Sequence, residues 1–197
     1  MCWDCRVATE ASERANYICG MGLAIALLRA VNVGTANRIR MEALRDTFAA
    51  AGYPGAVTHI QSGNVIFETH DDEATATAKI DRQITTDLGL SIVVILRSAA
   101  ALADVARHHP FATTEGDPSQ LYVAFLAAEP TTDDVSRLSA MSFGDDALMV
   151  AGREVFVRYA SRPSQSKLTG AVIERKLARP ATVRNWGVVT KLVELTS

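Results

Sequence analysis

The chain has 197 residues, 48% of them apolar, enough for a real core and too many for a disordered chain. No run of 18 apolar residues offers a membrane-spanning helix. The 20 basic and 22 acidic residues leave a net charge of −2, so nothing global draws the chain to nucleic acid or to a membrane.

Residues 1–20 stand apart. They hold all three cysteines, Cys2, Cys5 and Cys19, yet no strand or helix periodicity. Cys2-Trp3-Asp4-Cys5 is a single C-x-x-C, whereas a structural zinc site wants four ligands and a redox pair wants a helix start within a βαβ unit. The stretch lacks the apolar core of a secretory signal. It reads as a dispensable N-terminal extension, with Met21 as the alternative start. Without an export signal or a disulfide framework, the expected compartment is the cytoplasm.

From residue 22 the pattern becomes regular. Residues 23–28 read as a buried strand, followed by a polar loop over 29–37. Met41, Leu44, Phe48 and Ala51 recur at helical spacing. Residues 58–61 and 65–68 are short strands around Ser62-Gly63-Asn64, and Ile66 is expected to face a core shared with Leu28. Asp71-Asp72 opens a helix carrying Ile80, Ile84 and Leu88, ended by Gly89. Residues 90–96 form the next strand. The order is β-α-β-β-α-β, a split βαβ or ferredoxin-like arrangement. Ser98 caps a following helix that Pro110 stops.

The pattern then restarts. Residues 121–126 are a strand, Thr131 and Thr132 begin a helix, and residues 147–150 and 154–159 form a hairpin around Gly152-Arg153. A helix is expected from about Ser166 to Leu177, broken by Pro180. After it the repeat is expected to fail, with Thr182 capping another helix where the last strand would stand. The expected fold class is therefore α+β: two ferredoxin-like β-α-β-β-α halves packed together, the second closed by a C-terminal helix. The expected domains are the extension at 1–20, a first half with its connecting helix at 21–110, and a second half at 111–197.

The small net charge hides an asymmetry. Residues 153–191 hold nine basic and two acidic residues, a charge of +7, while residues 1–152 carry −8. Such a basic segment suits a local anion site. It equally suits a solvated helical face.

The usual catalytic and cofactor motifs are absent, so no cofactor is expected. The adjacent His108 and His109 cannot share a helix face, which argues against joint metal ligation, and no metal is expected. Three loops remain. Residues 29–38 form a connection longer than a strand-to-helix turn needs, with two Arg, two Asn and a Gly. Residues 61–64 form a turn. Residues 162–169 place hydroxyls and cations where a helix begins, as anion sites do and as plain N-caps also do. Residues 182–186 repeat that chemistry.

These loops carry a resemblance. Residues 26–34 (ALLRAVNVG), 60–67 (IQSGNVIF), 166–169 (SKLT) with 173–177 (IERKL), and 180–186 (PATVRNW) resemble the blocks of the domain of unknown function 1697 family. Ala30 replaces a usual Gly, and Gly187 follows Trp186 where Asn is usual. The resemblance implies a bacterial-type cytoplasmic α+β protein and supplies no reaction.

The leading expectation is a binding protein for a small anionic, phosphate-bearing ligand. Arg29 and Asn32 would orient it, Lys167 and Arg184 would neutralise it, and Ser166 and Thr169 would hydrogen-bond it, with Asn185 beside them. In the rival explanation these cations pair internally with Glu174, Glu194 or an acidic residue of the first half. Two alternatives stand beside the leading one. The first is an enzyme acting on a phosphorylated metabolite or nucleotide, for which no paired base is visible. The second is weak nucleic-acid binding through the +7 segment, for which the strand aromatics make a poor platform.

Overall fold

The computed structural model describes residues 22–33, 37–112 and 117–197. The expected extension at 1–20, with its three cysteines, lies outside them.

The first half is β1 (Gly22–Leu28), α1 (Met41–Ala50), β2 (Val57–His59), β3 (Asn64–Thr69), α2 (Glu73–Leu88), β4 (Val94–Ser98) and α3 (Ala99–Arg107). The second is β5 (Leu121–Leu126), α4 (Thr132–Ser139), β6 (Ala147–Ala151), β7 (Glu154–Arg158), α5 (Gly170–Leu177), β8 (Ala181–Asn185) and α6 (Trp186–Leu195). Each half builds one antiparallel sheet, in the orders β2-β3-β1-β4 and β6-β7-β5-β8.

The helix boundaries follow their side chains. Asp72, Ser98, Thr131, Thr169 and Asn185 each accept a backbone N–H in the first turn of the helix that follows. Gly89 ends α2 at φ 62°, a left-handed conformation that costs glycine little.

Strand alternation sorts the apolar residues into three cores. Ala24, Ala26 and Leu28 meet Leu44 and Phe48 of α1 and Ile80 and Ile84 of α2. On the other side of the second sheet, Ala124, Leu126 and Val157 meet Leu138 of α4 and Ile173 of α5. Between the sheets lies the shared core. There Ile25, Leu27 and Ile66 face Val123, Phe125 and Phe156, joined by Leu102 of α3 and Val189 of α6.

The structure corrects three expectations. The repeat does not fail at its end: residues 181–185 are the strand β8, paired with β5, and the closing helix begins only at Trp186, capped by Asn185 rather than Thr182. Thr182 alternates with Val183 across a sheet, and a strand of five residues is too short to show a period. Helix α5 starts at Gly170, not Ser166, because Pro163–Gln165 forms a separate 3-10 turn. Leu28 and Ile66 were expected to share a core, but they face opposite sides of the first sheet, since Ile66 pairs with Ile25 and not with a residue of Leu28's parity.

With β8 in place, the halves repeat in detail. Leu28 N–H donates to Gly63 O and Leu126 N–H to Arg153 O, both at 2.8 Å. Arg29 N–H donates to Val93 O at 3.0 Å and Ala127 N–H to Pro180 O at 2.9 Å. Leu28, Arg29, Gly63 and Asn64 are therefore the counterparts of Leu126, Ala127, Arg153 and Glu154.

Candidate functional site

Two buried arginines cross between the halves. Arg97 of β4 sits opposite Ile25, and Arg184 of β8 sits opposite Val123, two equivalent places. Arg184 donates from Nε to Asn64 Oδ1 (2.6 Å) and from Nη1 to Thr182 Oγ1 (2.7 Å) and Val183 O (2.9 Å). Its Nη2 donates to Leu28 O (3.0 Å) and Ser62 O (3.1 Å). All five N–H groups are thereby used. Burial pushes its guanidinium down to about 10, so it stays charged at neutral pH. Arg97 repeats the pattern in reverse, reaching Glu154 (2.7 Å), Leu96 O, Leu126 O and Arg153 O. Burial lowers the Arg97 guanidinium, and the Glu154 carboxylate opposes that shift.

The other residues singled out from the sequence separate into distinct places. The Arg29 guanidinium lies on the Glu174 carboxylate through two hydrogen bonds of 2.5 and 2.8 Å, which is the internal pairing that was the rival explanation. Burial pushes the Glu174 carboxyl up, but Arg29 and the Ala181 N–H outweigh it and hold it below the usual range. Ser166 donates to Asp146 Oδ2 (2.5 Å) and accepts from Leu168 N–H (2.8 Å). Thr169 and Asn185 are N-caps, and Lys167 is exposed. Arg184 thus touches the first half directly, and Arg29 follows Leu28 in sequence, whereas Ser166 is tied to Asp146 within the second half.

Asn32 serves a different end. At φ 54° it donates from Nδ2 to Ile39 O (3.0 Å) and Gln61 O (2.7 Å) and accepts the Ile39 N–H (2.9 Å). It clamps the loop after β1 to the turn before β3. Ala30, Asn37 and Ile60, at φ 55°, 48° and 51°, belong to the same two segments. They and Asn32 make up four of the five non-glycine residues with positive φ among the described residues. Each such residue costs on the order of 1–3 kcal/mol, most for a β-branched side chain such as Ile60, and such strain gathers at functional sites. Gly63, at φ 73°, has no room for a Cβ, which would stand 3.0 Å from Leu28 and Val31.

Beside this clamp is a cleft of about 530 Å³ lined by Asn32, Arg38, Ile39, Arg40 and Gln61. Arg38 and Arg40 are exposed, and neither forms an ion pair with a described residue. Arg40 is the N-cap residue of α1 and makes no capping hydrogen bond, so the first N–H groups of that ten-residue helix lack a side-chain acceptor. Glu42 in the first turn is the nearest acidic residue in sequence. Arg38 was within the loop flagged from the sequence. Arg40 was missed, because a cation at a helix start reads as a mild fault and only the cleft gives it a context. A smaller cavity of about 320 Å³ lies on the other side of the same loop, between Val31, Ile60, Ser62, Val183 and Arg184.

Among the described residues no cluster of three or more His, Cys, Asp or Glu could hold a metal ion. No helix there is long and apolar enough to cross a membrane.

Residues 21–156, more than half of the chain, match the family model described as a protein of unknown function (DUF1697). The chain belongs to the DUF1697 family. The match takes in the strained loop, the Ser62–Asn64 turn and the cleft, while the blocks quoted around Lys167 and Arg184 lie beyond it. No curated protein matches the chain. Among solved structures, the chain is similar to the conserved bacterial protein SP0830 from Streptococcus pneumoniae. The TM-score is 0.74 at 20% identity, over 89% of this chain and 99% of that one. At that identity the likeness is one of fold.

Proposed function

We propose that this DUF1697 protein is a cytoplasmic binding protein for a small anionic, phosphate-bearing ligand. The ligand sits in the Asn32–Arg38–Arg40–Gln61 cleft rather than at the wider set of residues first singled out. The observation that carries this reading is the pair Arg38 and Arg40, two cations at the uncapped, positive end of α1 with no acidic partner among the described residues. A cation is disfavoured at a helix N-terminus, and an anion in the cleft removes the mismatch while accepting the free backbone N–H groups. Arg184 and Arg29 support the site from behind: they hold the β1 end and the Ser62 turn in register and do not contact the ligand.

The test is titration with inorganic phosphate and with a mononucleotide, followed by backbone NMR. The expected result is saturable binding with the largest shifts at Asn32, Arg38, Arg40 and Gln61. Arg38→Ala and Arg40→Ala should each weaken it by about 1.5–3 kcal/mol, the range of charge-assisted hydrogen bonds. Unchanged binding in the double variant would refute this placement.

A further inference from the structure

A larger cavity than the arginine cleft lies elsewhere. It is a groove of about 680 Å³ on the far side of the first sheet, where α2 passes the outer edge of β4. Its walls include Glu73, Thr77 and Asp81 of α2, Val93 and Val94 at the start of β4, and Ala127 of the second half. Both charged residues in the lining are acidic, and none is basic.

The internal repeat shows what belongs in such a place. Ala127 is the counterpart of Arg29, as their equivalent hydrogen bonds to Pro180 O and Val93 O establish. At the other junction the Arg29 side chain reaches across to α5 and lies on Glu174. Here the methyl of Ala127 stops short, and Asp81, a carboxylate on the equivalent helix one turn before Thr85, the counterpart of Glu174, lines the space. Glu73 is already bonded to Arg153 (2.6 and 2.9 Å), so Asp81 is the carboxylate left to receive a cation.

The backbone adds a direction. Strand β4 is the edge of its sheet. Val93 turns its carbonyl inward to Arg29 N–H, so alternation in an antiparallel ladder turns the N–H and C=O of Val94 outward, toward the groove. Val93 itself is 37% exposed, an apolar side chain on the rim.

We propose that this groove binds an extended basic peptide, which adds to the β4 edge through Val94 and places one Arg or Lys side chain on Asp81, much as Arg29 lies on Glu174 at the other junction. Strand addition supplies the main-chain hydrogen bonds, and the guanidinium or ammonium on Asp81 sets the register. The inference does not depend on the anion cleft, which uses other residues and the opposite charge.

The experiment uses the full chain and the fluorescently labelled peptide acetyl-Val-Arg-Val-Arg-Val-amide, followed by anisotropy and by amide NMR. Saturable binding with shifts at residues 91–95 and at Ala127 is expected. Asp81→Asn should weaken it about threefold, within the range for a partly exposed ion pair. Ala127→Arg should fill the groove from within: it should abolish peptide binding and raise the melting temperature, as an internal copy of the Arg29 pair. Equal binding by the citrulline form of the peptide, equal binding by free arginine amide, or unimpaired binding to the Ala127→Arg variant would each overturn the proposal.

Discussion

Arg97 and Arg184 occupy the same place in two copies of one design, and they differ chiefly in the group that meets Nε, Arg184 also bonding Thr182 Oγ1 within its own strand. Each guanidinium leaves its own sheet, bonds its preceding carbonyl, and binds the end of the central strand and the hairpin of the other half. Arg97 meets the carboxylate of Glu154, whereas Arg184 meets the amide of Asn64. The amide has a second task. Its Nδ2 donates to His59 O (3.1 Å) and Ser62 Oγ (3.0 Å), so it holds the turn that contains the strained Ile60. A carboxylate could not donate those bonds. At this crossing the buried guanidinium has no carboxylate partner and the amide fixes a turn instead, with Arg184 lining the smaller cavity.

The most direct way to break the comparison is to remove each arginine. Arg184→Ala leaves five acceptors without their donor, three of them (Asn64 Oδ1, Thr182 Oγ1 and Leu28 O) in buried bonds, and should cost about 3–5 kcal/mol in denaturant melts. Glu154→Gln makes the first crossing resemble the second, keeping an acceptor for Arg97 Nε. Its cost should be smaller, about 1–2 kcal/mol. If Glu154→Gln were as damaging as Arg184→Ala, the amide at Asn64 would not be an adequate substitute for a carboxylate, and the two crossings would not be equivalent.

The repeat was legible in the sequence up to the point where a strand became too short to read. Residues 22–97 could be parsed because Ile80, Ile84 and Leu88 keep a helical stripe and Gly89 marks its end. The β8 strand could not, because its five residues include Thr182 and Arg184, whose polar groups find partners at Leu28, Ser62 and Asn64, more than a hundred residues away. The same distance hid the role of Arg29. Spacing cannot say that Glu174, 145 positions later, will meet it. The loop at 29–38 was legible as a place of interest through its length and its donors. Its strain was not, since Asn32 takes its φ of 54° from a clamp onto Gln61.

A second asymmetry lies at the shared core and responds to pH. His109 is 6% exposed, with its ring edge-on to Trp186 (4.5 Å between centroids) and Phe156 (5.0 Å). Its Nδ1 accepts the Phe111 N–H, which requires the Nε2–H tautomer, and that Nε2 has no partner among the described residues. Desolvation by burial holds this imidazole below its ordinary value of 6.5. The folded state therefore resists a proton that the unfolded state accepts. The stability is fully present above pH 6.5 and is lost as pH falls through the window beneath it, with a slope of at most about 1.4 kcal/mol per pH unit for one proton. His109→Phe should flatten that part of the curve in melts between pH 7.5 and 5. An unchanged slope would assign the dependence to other groups.

The smallest effect expected concerns the two helix ends that the repeat makes equivalent. Helix α2 closes on Gly89 at φ 62°, and α5 closes on Ala178 at φ 50°. Both lie in the left-handed region, and both return an N–H to the preceding turn, to Thr85 O and Glu174 O. At Gly89 the conformation carries no Cβ penalty, whereas at Ala178 the methyl crowds its own carbonyl. Ala178→Gly relieves that strain but gives the unfolded chain more freedom, so the gain is what remains after the two oppose each other, about 0.5–1 kcal/mol. The reverse change, Gly89→Ala, should lose about as much, although its Cβ would meet nothing within 4 Å. Matching and opposite shifts in the two variants would show that the helix ends are equivalent in energy as well as in geometry. A gain at Ala178 without a loss at Gly89 would mean that α2, twice as long, tolerates a frayed end that α5 does not.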